Sequence, residues 1–158
     1  MRKPKIYLET TMFNYYFDTD RDAHADTVTL FKNIQLGKYE AYTSIYVTDE
    51  LVKAGEPKRS NMFALITEYN ITVLPASNEA DSLADVYVSE GIIPPKYRTD
   101  GIHIAVTTVN ELDMIVSMNF QHIVKRKTIL AAGKTNNLYG YRAIEIYSPM
   151  EVVENENT

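Results

Sequence analysis

The stretch Ile6-Tyr7-Leu8-Glu9-Thr10-Thr11 decides the fold. Three apolar residues in unbroken succession read as a strand buried on both faces, and the acid that follows marks where the strand leaves the core. The same signature recurs along the chain. Glu40-Ala-Tyr-Thr43, Ile71-Thr-Val-Leu74, Met114-Ile-Val-Ser117 and Ala143-Ile-Glu-Ile-Tyr147 are further short strands. Helical spacing fills the gaps. Val28, Leu30, Phe31, Ile34 and Leu36 share one face before the stop at Gly37, and Ser44 opens a helix that ends near Gly55. Pro57 restarts a helix that runs to Tyr69, Ser77 or Asn78 caps one through Val88, and Thr99 caps one over Asp100–Leu112. Asn119 to Ala132 reads as an irregular helix, and Pro149 opens a short terminal turn or helix. Strands alternating with helices predict an α/β fold, a three-layer α/β/α sandwich around a central parallel sheet. The expected organisation is one domain over residues 1–153 and a frayed polar tail over 154–158.

Composition narrows the function. The 158 residues are 45% hydrophobic and 23% charged, which is ordinary for a globular chain. Cysteine is absent, so disulfides, zinc–thiolate sites and thiol nucleophiles are excluded, and a reducing cytoplasm is the expected setting. No apolar run approaches the roughly 20 residues of a membrane span, nor the core of a signal peptide. The net charge of -5 argues against indiscriminate binding to polyanions. Basic residues are bunched at Lys53 with Lys58 and Arg59, at Lys96 with Arg98, and at Lys125-Arg126-Lys127, each of which also reads as a solvated surface.

Three carboxylates stand beside regular elements. Glu9 ends the first strand, Glu50 lies in the helix after Ser44, and Asp100 opens the stretch Asp-Gly-Ile-His-Ile-Ala-Val. Ligands of an open parallel sheet collect beyond the carboxyl ends of its strands, where these acids would meet. Several carboxylate oxygens suit Mg²⁺ or Mn²⁺, not zinc. Such an ion polarises a phosphoryl oxygen and acidifies a bound water, the chemistry of phosphodiester cleavage. Each acid also has a simpler reading. Asp100 complements a helix N-terminus, and Glu50 pairs with Asp49 on a wet face, while Glu9 could be a strand end turned to water. Tyr15, Tyr16 and Phe17, just after Glu9, could stack unpaired bases or fill the core.

These residues resemble the PIN-domain ribonucleases over nearly the whole chain. Leu8-Glu9-Thr10-Thr11 matches the family's first strand-end acid with its hydroxyl residues. Thr43-Ser44 through Glu50-Leu51 matches the second acid, and Asp100, His103 and Ala105 match the Asp-x-x-His-x-Ala helix. Ser117-Met118-Asn119 matches the fourth polar region, and Asn136-Asn137 through Pro149 looks like the closing segment. The resemblance implies a PIN-like α/β/α domain whose acids hold Mg²⁺ or Mn²⁺ and which cuts single-stranded RNA. It also extends to toxins of type II toxin–antitoxin pairs, commonly homodimers held by a small antitoxin protein.

Carried over residue by residue, Glu9 and Asp100 coordinate the ion, Glu50 helps hold it or orients water, and Asn119 completes the surroundings. Thr10, Thr11 and Ser117 would bond a carboxylate or phosphate, or serve local structure. Lys96, Arg98 and Lys125 would meet RNA phosphates. His103 reads as a packed core histidine, and His122 as structural or substrate-facing. Two departures stand out: the first acid is Glu9 where Asp is usual, and Asn119 stands where Asp is frequent. A catalytically weakened module that binds RNA or protein is therefore the competing reading. A receiver-type domain fits poorly, since Glu9 has no adjacent acid and Leu74-Pro75 provides no phosphoacceptor. With only three anionic groups at the site, calorimetric titration should find Mn²⁺ and Mg²⁺ affinities weaker than about 1 µM; tighter binding would contradict this reading of the departures.

Overall fold

The computed structural model describes residues 2–156. Among these residues five strands form an all-parallel sheet: β1 Lys5–Leu8, β2 Glu40–Ser44, β3 Thr72–Leu74, β4 Met114–Val116 and β5 Glu145–Tyr147. Their spatial order is β3-β2-β1-β4-β5. The chain first builds outward from β1 to β2 and β3, then crosses back and adds β4 and β5 on the other side. The switch point lies between β1 and β4, where Leu8 is in register with Val116. This order differs from the 2-1-3-4-5 arrangement of receiver domains. Ile6, Tyr7 and Leu8 have no exposed surface, nor do Ile115 and Val116, as expected of central strands covered on both faces.

Among the described residues eight α-helices connect and flank the strands. They are α1 Thr10–Tyr15, α2 His24–Gln35, α3 Ile45–Leu51, α4 Lys58–Glu68, α5 Asn78–Ser89, α6 Arg98–Val109, α7 Arg126–Leu138 and α8 Pro149–Glu156. Helix α2 packs on α8, and α5 packs on α6. The arrangement is the expected three-layer α/β/α sandwich. Two helix boundaries follow their sequence signals closely. Ser77 Oγ accepts from the Ala80 amide at the start of α5. Gly37, with φ of 84°, turns the chain after α2 in a conformation that a side chain would disfavour.

Thr10–Tyr15 is a helix from its first residue, because the Glu9 side chain caps it by accepting from the Thr11 amide. Two segments depart from the sequence reading. The helix expected from Asn119 begins only at Arg126. Asn119 and Ser117 account for the delay: Asn119 Oδ1 accepts from the His122 amide, and Ser117 Oγ accepts from the Asn119 amide. These side chains hold the backbone in a turn and compete with helix formation. Within the tail, residues 154–156 continue α8, whereas 157 and 158 lie outside the described residues. Glu156 is tied down rather than frayed. Its two carboxylate oxygens accept from Asn33 Nδ2 and from the Tyr39 hydroxyl, each at 2.5 Å. Glu156→Ala should accordingly lower unfolding stability by about 1–3 kcal/mol in urea denaturation; an unchanged midpoint would return this segment to a free tail.

Candidate active site

Glu9 stands at the carboxyl end of β1 beside the switch point, with only 4% of its surface exposed. A carboxylate so enclosed requires partners. Its Oε1 accepts three hydrogen bonds: from the Thr11 amide at 3.1 Å, from Thr11 Oγ1 at 2.5 Å and from Ser117 Oγ at 2.7 Å. The Ser117 bond stitches the end of β1 to the end of β4. Thr11 Oγ1 also accepts from the Met118 amide at 2.8 Å, so one hydroxyl links both strand ends. Burial pushes the Glu9 carboxyl above its ordinary range, and the nearby His103 and these donors only partly oppose that.

Glu50, on α3, is positioned by two elements. Its Oε1 accepts from Thr10 Oγ1 at 2.6 Å and from His103 Nε2 at 2.8 Å. Because a carboxylate only accepts, His103 carries its proton on Nε2. The other ring nitrogen, Nδ1, lies 2.7 Å from the Tyr7 hydroxyl, which lies 2.7 Å from Ser44 Oγ. A chain of hydrogen bonds thus runs from β2 through β1 and α6 to α3. Ser44 precedes α3 without a side-chain capping bond, since its hydroxyl faces Tyr7 instead.

His103 is the hub. It is fully buried on α6, and the charges of Glu9, Glu50 and Asp100 all act on it. Burial disfavours its cationic form, but the bond to Glu50 and the three carboxylate fields outweigh that and raise its pKa. Glu50 responds in the opposite direction. Burial would raise it, yet the His103 contact leads the interactions that hold it below the ordinary carboxylate range. The packed histidine expected from sequence therefore also sits in the field of the three carboxylates, which favours its cationic form.

Asp100 lies in the first turn of α6, and its Oδ2 is 2.9 Å from His122 Nδ1. This pairing was not foreseen in the sequence. The spacing of three residues between Asn119 and His122 was the available signal, but it required the Asn119 turn to be recognised. Asn119 directs its amide oxygen to the His122 amide, so it shapes the loop that presents His122 rather than offering that oxygen to an ion. Thr10, Thr11 and Ser117 all anchor carboxylates, one of the alternatives their positions allowed.

Each acid commits one oxygen to the protein: Glu9 Oε1, Glu50 Oε1 and Asp100 Oδ2. Among the described residues no buried side-chain oxygen or nitrogen lacks a partner, so the second oxygen of Glu9 reaches solvent. Three carboxylates with an oxygen to spare are a donor set chemically suited to a hard divalent cation. Among the described residues, though, no three His, Asp or Glu side chains are set closely enough to hold an ion as they stand. Asp100 is drawn toward His122 and Glu50 toward Thr10 and His103.

The basic residues separate in the fold. Arg98 Nε bonds Asp85 Oδ1 at 2.7 Å and a second guanidinium nitrogen lies 3.7 Å from Asp81, which commits Arg98 to α5. Lys96 Nζ lies 5.8 Å from the Tyr97 ring centroid. Lys125, just before α7, lines a surface groove with Phe120, Val124 and Ile129. Tyr16 stacks edge-on with Phe17, Phe31 and Tyr69, and its hydroxyl bonds that of Tyr69. Tyr16 is thus engaged in packing against Phe31 of α2 and Tyr69 at the end of α4, while Phe17 stays 38% exposed and the Tyr15 ring faces Arg21.

Comparison with known proteins places the fold. No family model matches the sequence, and no curated protein matches it either. Solved structures do. The Mycobacterium tuberculosis toxin VapC20, which cleaves the sarcin–ricin loop, superposes with a TM-score of 0.54 at 11% identity, covering 88% of this chain and 98% of its own. VapBC2 of Rickettsia felis, solved with a fragment of its promoter DNA, gives a TM-score of 0.56 at 10% identity, covering 91% and 98%. The chain has the VapC-like PIN fold that its motifs resemble.

The charge cluster sets a pH dependence. His103, raised in the folded state, contributes stability that is complete below the ordinary imidazole range and is lost as pH rises through its raised value. Glu50, lowered, contributes above the ordinary carboxylate range and fails as pH falls through its lowered value. Glu9, raised, binds its proton more tightly when folded, so its ionisation costs stability as pH rises. The metal-free protein should therefore be most stable in weak acid. His103→Asn should flatten the alkaline decline and cost about 1–3 kcal/mol, because Tyr7 and Glu50 lose a partner. Thermal denaturation in EDTA from about pH 5 to about pH 9 measures both; a His103→Asn profile parallel to wild type would show that the decline has another origin.

Proposed function

We propose that this chain is a divalent-metal-dependent endoribonuclease that hydrolyses single-stranded RNA, and that it is the toxin of a toxin–antitoxin pair. The observation that carries the reading is the set Glu9, Glu50 and Asp100 around one buried imidazole, each acid retaining an oxygen that the protein does not occupy. The position supports it as well, since the carboxyl ends of β1 and β4 at the switch point are where an open parallel sheet receives ligands. The donor set selects Mg²⁺ or Mn²⁺, and such an ion would supply positive charge to a phosphoryl oxygen and a more acidic water.

The chain's own residues do the positioning. Glu9 and Asp100 would hold the ion, and Glu50 would help hold it or orient the attacking water. Thr10, Thr11 and Ser117 set the rotamers of Glu9 and Glu50 through their hydroxyls. The fields of the three acids favour the cationic form of His103. Glu9, Glu50 and Asp100 would have to draw closer to share an ion, which fits the weak metal affinity expected of this site. Lys96 and Lys125 remain candidates for backbone phosphates, whereas Arg98 is occupied by Asp81 and Asp85. An antitoxin protein and a second copy of the chain are the protein partners this reading brings. No helix among the described residues is long and apolar enough to cross a membrane.

The competing reading is a weakened PIN-like module that binds RNA or protein without cutting. It is favoured by the proton affinity of buried Glu9 and by the engagement of the Asn119 oxygen in a turn. Cleavage of labelled single-stranded RNA separates the two. The wild-type chain with Mn²⁺ should cut, EDTA should abolish cutting, and Glu9→Gln and Asp100→Asn should each lose at least about a hundredfold while retaining wild-type circular dichroism. RNA binding without cleavage under any divalent ion would instead establish the binding module.

A further inference from the structure

Tyr97 and His122 form an aromatic step beside Asp100. Tyr97 ends the short 3-10 turn Pro95–Tyr97 that leads into α6, three residues before Asp100. His122 comes from the turn after β4. The two ring centroids are 4.1 Å apart and the planes are inclined by 31°. His122 is doubly fixed: its ring bonds Asp100 Oδ2 through Nδ1, and its backbone amide donates to Asn119 Oδ1. Tyr97, by contrast, keeps 38% of its surface exposed. Its hydroxyl makes no hydrogen bond among the described residues, so no polar pairing accounts for its placement. The Lys96 ammonium stands 5.8 Å from the same ring centroid.

A ring braced on His122, with a cation over it and that histidine bonded to a candidate metal-binding acid, matches the chemistry of a nucleotide: a π face to stack and a phosphate to neutralise. We propose that Tyr97, braced by His122, is a nucleobase-stacking subsite of this centre, taking an unpaired base next to the phosphodiester to be cut, with Lys96 on a flanking phosphate. The proposal rests on the nuclease reading and deepens it. Tyr15, Tyr16 and Phe17 are the other aromatic group near Glu9 in sequence, but Tyr16 is interlocked with Phe31 and Tyr69. Stacking also selects for single strands, since a base within a duplex is covered on both faces by its neighbours.

The first arm of the test is steady-state cleavage of a labelled single-stranded oligoribonucleotide with Mn²⁺, alongside versions carrying one abasic position at successive sites. Tyr97→Leu should raise KM roughly tenfold and change kcat by less than about threefold, while Tyr97→Phe should behave as wild type. One abasic position should raise the wild-type KM by a similar factor and leave Tyr97→Leu unaffected. Equal abasic penalties in both proteins at every position would overturn the subsite, because a merely structural tyrosine would not single out one base.

The second arm does not depend on Tyr97→Leu folding. The chain contains no tryptophan, so Tyr97→Trp introduces a lone indole at the step. In a Glu9→Gln background, which the nuclease reading makes unable to cut, its fluorescence should be quenched by the intact oligonucleotide and not by the matching abasic one. Bound RNA, seen by anisotropy of its label, with an unquenched indole would overturn the proposal. Wild-type cleavage together with an unaltered Tyr97→Leu KM removes the subsite alone. A wild-type chain that neither binds nor cuts RNA removes the nuclease reading and the subsite with it.

Discussion

Much of this structure follows from one unfavourable placement, a carboxylate almost sealed at the end of the central strand. Glu9 cannot remain there without donors, and the donors come from separated parts of the chain. Thr11 is supplied by the helix that Glu9 itself caps, and Ser117 by the end of β4. The same requirement draws the charge of His103 toward the rim from α6. The strands flanking the switch point are consequently joined twice, once by the backbone register of Leu8 with Val116 and once by side chains above it.

The second constraint is charge. Three acids stand near this rim, and the fields of Glu9, Glu50 and Asp100 all act on the buried ring of His103. Its proton is directed to Glu50, and Tyr7 and Ser44 receive the other side of the ring. This network orients Glu50 without consuming both of its oxygens. Asp100 is treated alike by His122. A carboxylate held by one oxygen and open at the other is oriented yet still able to ligate, the condition in which supporting contacts tune a metal site. The cost is that Glu50 and Asp100 rest against histidines rather than against each other.

The sequence was most legible where local pattern and tertiary role coincide. The apolar triplets at Ile6-Tyr7-Leu8 and Met114-Ile-Val116 identified central strands, because burial on both faces leaves no polar position. Ser77 and Gly37 marked helix ends through groups that act within a few residues. It was least legible where a side chain competes with the backbone. Ser117 and Asn119 divert the chain into a turn that helical spacing over 119–132 does not register. Glu156 looked like part of a polar tail because its partners, Asn33 and Tyr39, lie more than a hundred residues away. Arg98 looked available for phosphate because the sequence does not show Asp81 and Asp85 one helix over.

By itself, the sequence determined the layered parallel architecture and which acids lie at the ends of its elements, since both are written in hydrophobic period and in the residues just beyond it. Only the tertiary structure decided what those acids face. Whether a carboxylate meets a hydroxyl, an imidazole or water depends on strand order and on which helix crosses above, and these bring together Tyr7 with His103 and Asp100 with His122. Local pattern acts over a few residues along the chain, whereas burial and charge act through space. The candidate centre is made by the second kind of force on a scaffold set by the first.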